Sequence, residues 1–171
     1  MFENDPKEIA ESETRRRPVR RMMLAWLWVA CWGGVIWILG GDRFSFSETS
    51  ASFLPWLDWL TGDLDWRTRY RIYVAIRKCA HFIEYAILAL LTFRAALSAT
   101  RRTPLATAGW VALFIVTSLA TADEARQALS PVRTGSPYDI VIDVAGGLVT
   151  VVGLVIISHR MRAARQPESS A

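Results

Sequence analysis

The chain has 171 residues, a net charge of +4, 52% hydrophobic residues and eight tryptophans, with a mean hydropathy of +0.22. The apolar excess is gathered into four separate runs and the basic residues cluster at their ends, which tells against a water-soluble bundle and against a basic nucleic-acid-binding domain. The two cysteines, Cys31 and Cys79, fall in or beside different runs without metal-ligand spacing, so neither a disulfide framework nor a zinc site is implied.

Residues 1–21 are charged and show no periodic apolar face, which predicts a disordered tail. Phe2 occupies the place where a myristoylated chain needs glycine. The first apolar run, 22–41, follows Arg15, Arg16, Arg17, Arg20 and Arg21, is rich in tryptophan and lacks a small-residue cleavage site. It therefore reads as a retained anchor and not as a cleaved signal. Trp26, Trp28, Trp32 and Trp37 lie around most of its circumference and read as lipid anchors or core.

The loop 42–71 holds the aromatic octapeptide Phe53–Leu60, which suits the headgroup layer. Asp63 or Asp65 is placed to cap a helix that runs through Tyr70, Tyr73 and Ile76 into the second run, 79–97. Arg101-Arg102-Thr103-Pro104 turns the chain into the third run, 104–122, and Ser130-Pro131 and Gly135-Ser136-Pro137 break helix before the fourth, 140–158. Gly146, Gly147, Thr150 and Gly153 give that last run small residues for close packing. Each run is about long enough to carry a helix across ~30 Å of hydrocarbon at ~1.5 Å per residue. Continuous apolar character, without alternation, favours helices over a barrel. The expected architecture is an all-α polytopic membrane protein: a four-transmembrane-helix domain over 22–158, an interfacial segment in its first loop and a short tail over 159–171. Twelve Lys and Arg residues fall on the side of the termini and eight on the other, which predicts cytoplasmic N- and C-termini.

Charged residues inside the second run set the candidate site. Helical spacing puts Arg77, His81 and Glu84 on one face, flanked by Lys78 and Tyr85, and Glu84 stands roughly 7 Å inside the apolar run. Ionisable groups at that depth face the bundle interior and find partners. The third run ends in Asp123, Glu124, Arg126 and Gln127, the connection adds Arg133, and the fourth run opens with Asp139 and Asp143 one turn apart. Alternating topology brings these segments to one membrane face, so five carboxylates, His81, Lys78 and two or three arginines are expected to converge there.

Arg77-Lys78-x-x-His81-Phe82-x-Glu84-Tyr85, then Asp123-Glu124-x-x-Gln127, then Arg133-Thr134-Gly135-Ser136 and Asp139-x-x-x-Asp143-x-x-Gly146 resemble the ordered signature of the VanZ-like membrane proteins. The resemblance spans about residues 77–153. Asp143 departs from it by adding a carboxylate where many members carry asparagine. The family is named for an accessory protein linked to glycopeptide resistance, especially to teicoplanin. The resemblance implies a multi-pass factor of the bacterial plasma membrane whose partners are membrane lipids or a lipid-linked envelope molecule.

Two classes of function are compatible with these residues. In a binding protein, Arg77, Lys78, His81, Glu84, Tyr85, Asp123, Glu124, Gln127, Arg133, Asp139 and Asp143 line a pocket for an amphipathic anionic ligand. In a membrane-embedded enzyme, His81 or Glu84 is the general acid or base, and Arg77, Lys78 and Arg133 hold an anionic group. His81, Glu84, Asp123, Glu124 and Asp143 have the chemistry of metal ligands, but the set has a single histidine, and nearby arginines satisfy the acids without a metal. Asp123-Glu124 is unaccompanied by a glycine-rich phosphate loop, so no nucleotide cofactor is expected.

Overall fold

The computed structural model describes residues 6–41, 56, 59, 62, 64–99, 103–131 and 136–164, with side chains from residue 19 onward. It is all-α, with helices α1 (Pro6–Leu39), α2 (Trp66–Ala99), α3 (Leu105–Ala128) and α4 (Pro137–Ala164). All four contain a stretch long and apolar enough to cross a membrane.

α1 reaches back to Pro6, so the polar stretch 6–21, expected to lack structure, is helical. Five Arg and three Glu among its residues are good helix formers, and Pro6 stands at the first helical position, where a missing N–H costs nothing, although Pro18 removes one backbone donor inside the helix. α2 has 34 residues, roughly 51 Å at the helical rise, so its N-terminal turns extend beyond ~30 Å of hydrocarbon. Asp65 starts it. The Asp65 carboxylate accepts the Arg67 N–H at 3.1 Å, the Thr68 N–H at 3.2 Å and the Thr68 hydroxyl at 2.6 Å. The Thr68 hydroxyl, followed by the Thr68 N–H, holds this carboxyl below its ordinary pKa. Asp63 and most of the aromatic octapeptide lie outside the described residues; Trp56 and Trp59 are helical and exposed.

α2 is the central helix and packs against the other three. It buries Tyr85, Leu88, Ala89, Thr92, Phe93, Ala95 and Ala96, while α3 offers Ala108, Ala112, Val116 and Ala120 at one-turn spacing. Small residues in that register let backbones approach where lipid provides no hydrophobic drive. Contacts give the directions. Lys78 meets Asp139 and His81 meets Asp143, so α2 and α4 run parallel. Gly109 faces Val151 and Gly147 faces Val116, so α3 and α4 run antiparallel. Outward positions carry Trp28, Trp110, Phe114, Val141 and Val149, an apolar surface suited to hydrocarbon and not to water.

Candidate functional site

Two rungs join α2 to α4 near their N-terminal ends. Lys78 Nζ donates to Asp139 Oδ1 at 3.3 Å. One turn deeper, His81 Nδ1 stands 3.5 Å from Asp143 Oδ1, both side chains being largely buried. The parallel course of the helices puts bases three apart on α2 beside acids four apart on α4. Beneath the rungs the backbones touch at Gly146, where an added Cβ would run into the Phe82 carbonyl oxygen.

α3 delivers a second group to the same end. Asp123 accepts hydrogen bonds from Arg126 Nη2 at 2.5 Å and Gln127 Nε2 at 2.6 Å. The Arg126 guanidinium lies 4.2 Å from the Trp37 ring centroid, which ties α3 to the end of α1. Gly40 fits there because a Cβ would collide with the Asp123 carboxylate and with Arg126 Nη2. Glu124 accepts the Ser136 N–H at the start of α4, an anion at the positive end of a helix. Asp123, Glu124, Gln127 and Asp143 are all buried.

The remaining residues complete the cluster without being tied down. Glu84 is within electrostatic range of Asp123 and Arg77, and Tyr85 of Asp143, Asp123, Glu84 and Glu124. Among the described residues the Arg77 guanidinium and the Glu84 carboxylate make no hydrogen bond or ion pair. Asp143 Oδ1 and Tyr85 Oη are buried and have no hydrogen-bond partner. Arg133 lies outside the described residues. Of the residues read from the sequence, the structure therefore brings Arg77, Lys78, His81, Glu84, Tyr85, Asp123, Glu124, Gln127, Asp139 and Asp143 to one end of the bundle. Among the described residues no group of three His, Cys, Asp or Glu side chains is placed to hold a metal ion.

The model of a known family, VanZ/LLP1, matches residues 24–158, which takes in the membrane portion of α1 and the whole polar cluster. The chain belongs to the VanZ/LLP1 family. No curated protein and no solved structure matches it. The family match reaches further toward the N-terminus than the motifs at 77–153, and the contacts of α1 explain why that helix belongs to the unit. Trp32 Nε1 donates to the Glu84 carbonyl at 2.9 Å, and Trp37 lies against Arg126. Sequence reasoning assigned both tryptophans to lipid or core. The missed signal was positional: Trp37 and Gly40 end α1, and alternating spans place that end beside the end of α3.

Proposed function

We propose that this VanZ/LLP1 protein is a cell-envelope factor of a bacterial plasma membrane that holds the anionic head of an amphipathic ligand. The ligand class is a lipid-linked wall precursor, a phospholipid or a lipoglycopeptide, and an effect on glycopeptide sensitivity belongs to the same reading. The pocket is the polar end of α2, α3 and α4, on the extracytoplasmic side if both termini are cytoplasmic. One observation carries the proposal: Arg77 keeps a guanidinium without a hydrogen bond or ion pair among the described residues, although Glu84 and Glu124 lie within electrostatic range of it. A cation needed only to neutralise those acids would be paired, as Lys78 is with Asp139. A free guanidinium offers a planar fork to phosphate or carboxylate.

The test is native mass spectrometry of the purified full-length chain and its Arg77→Gln variant. The wild type is expected to retain an anionic lipid that the folded variant loses. Equal retention of the same lipid by both would overturn the proposal.

A second reading, an acid–base enzyme acting on a lipid phosphate or headgroup, is favoured by the 3.5 Å approach of His81 Nδ1 to Asp143. A carboxylate beside one ring nitrogen orients an imidazole whose other nitrogen exchanges protons. Under that reading His81→Ala abolishes turnover while leaving lipid retention intact. Under the binding reading it lowers retention in proportion to its contacts.

A further inference from the structure

We infer that the N-terminal turns of α2 hold a sugar portion of the ligand, so that its head carries one or two pyranose rings beyond the anionic group at Arg77. The inference rests on the reading of Arg77 as the anion contact and narrows the ligand to a lipid-linked sugar phosphate. Trp66 is 70% exposed and Tyr70 49%, and their ring centroids lie 6.5 Å apart at an interplanar angle of 55°. Arg67 and Arg71 beside them are exposed as well.

Helical register sets these residues above the polar site. His81 faces Asp143 of α4, which fixes the direction of the site around α2. Tyr70 precedes His81 by eleven residues and Arg77 by seven, and Trp66 precedes Arg77 by eleven. At ~3.6 residues per turn each of these separations returns to within about 20° of the same azimuth. Arg67, Arg71 and Lys78, spaced by four and seven, form a basic stripe next to the aromatic one. α4 starts at Pro137, two residues before the Asp139 that meets Lys78, so the turns of α2 that precede Lys78 rise past its end.

Height decides what the two rings are for. Aromatic residues often anchor a helix in the headgroup layer, which adds roughly 5–8 Å to each side of the hydrocarbon. With the apolar run starting at Cys79, Arg77 stands about 3 Å outside the hydrocarbon, Tyr70 about 13 Å and Trp66 about 20 Å. Arg77 is therefore within the headgroup layer, while Tyr70 and Trp66 lie beyond it, in water. Two helical turns also present far less than the ~800 Å² per partner that a stable protein interface buries. The occupant that fits is a small polar group with an apolar face, held in line with the anion. A pyranose sets its ring C–H bonds against an aromatic face, and its hydroxyls accept hydrogen bonds from guanidinium groups such as Arg67 and Arg71. The short alcohol of a phospholipid ends close to its phosphate, whereas one or two sugar rings cover the roughly 10 Å rise from Arg77 to Tyr70.

Native mass spectrometry of the full-length protein in a sugar-free polyoxyethylene detergent tests this by titration with maltosyl dodecyl phosphate, methyl dodecyl phosphate and dodecyl maltoside. The two phosphodiesters share one charge and one chain, so their ratio reads the sugar alone. The maltosyl ester is expected to bind on the order of tenfold tighter than the methyl ester, about the worth of one aromatic stack. Trp66→Ala and Tyr70→Ala should each remove most of that ratio and leave the methyl ester unchanged, and Trp66→Phe should keep part of it. Trp66 is exposed in the first turn of α2, so Trp66→Ala serves even if Tyr70→Ala does not fold. Arg77→Gln should weaken both esters and keep their ratio. Equal binding of the two esters by the wild type, or a ratio preserved in Trp66→Ala, would overturn the sugar site while the anion site stands. Binding of dodecyl maltoside as tightly as the maltosyl ester, lost in Trp66→Ala and unaffected by Arg77→Gln, would overturn the anion reading and keep the sugar site; no binding of any probe would overturn both.

Discussion

Gly146→Ala is the substitution most directly tied to the geometry of the site. In the native packing an alanine Cβ would stand 3.1 Å from the Phe82 carbonyl carbon and 3.3 Å from its Cα, with the carbonyl oxygen closer still. Carbon atoms rest at about 3.5–4.0 Å, so α2 and α4 have to separate by roughly 0.5–1 Å. The obstacle is backbone, and no rotamer change relieves it. Overpacking of this kind costs about 1–3 kcal/mol. The His81–Asp143 separation, 3.5 Å and on the same helix pair, then opens beyond contact distance. Gly153→Ala is the control. No atom lies within 4 Å of its added Cβ, and replacing a helical glycine contributes up to about 1 kcal/mol. Thermal unfolding followed by tryptophan fluorescence in detergent should therefore rank Gly153→Ala at or above wild type and Gly146→Ala clearly below. A Gly146→Ala protein as stable as Gly153→Ala, with unchanged lipid retention, would refute the close α2–α4 contact as the base of the site.

Arg126→Lys loses the planar stack on Trp37 and the guanidinium contact to Asp123, and should cost on the order of 1 kcal/mol. Trp37→Leu should cost a similar amount in wild type and much less in the Arg126→Lys background; additive losses in unfolding experiments would exclude the coupling. Asp65→Ala should fray the first turn of α2, seen as faster hydrogen exchange at Thr68 and Arg69. Because the folded carboxyl has a lowered pKa, the same fraying should appear in wild type as pH falls through the folded value and be absent above the ordinary carboxylate range; exchange independent of pH in this turn would contradict the cap. For topology, cysteine at Ser50 should react with an impermeant reagent in intact cells, and cysteine at Ser12 or Ser169 only after permeabilisation. Labelling of Ser12→Cys in intact cells would reverse the orientation.

Four apolar runs, the motifs at 77–153 and the depth of Glu84 were legible in the sequence by itself, because hydropathy and helical period are local properties. They were enough to determine an all-α membrane protein, its VanZ-like membership, and Asp65 as one of two candidate caps. The composition of the polar stretch 6–21 weighs against burial, and α1 extends through it from Pro6, a helix that requires no burial. What only the tertiary structure decided is the pairing within the cluster. Sequence placed acids and bases at one end of the bundle but left them interchangeable. Helix direction and register then gave Lys78 to Asp139, Glu124 to the Ser136 N–H, and Arg126 to Asp123 and Trp37. They set His81 beside Asp143 and left Arg77 and Glu84 without a hydrogen bond or ion pair among the described residues. Which charges cancel depends on distances of a few ångströms between residues far apart in the chain, 61 positions for Lys78 and Asp139, and no local pattern encodes those distances.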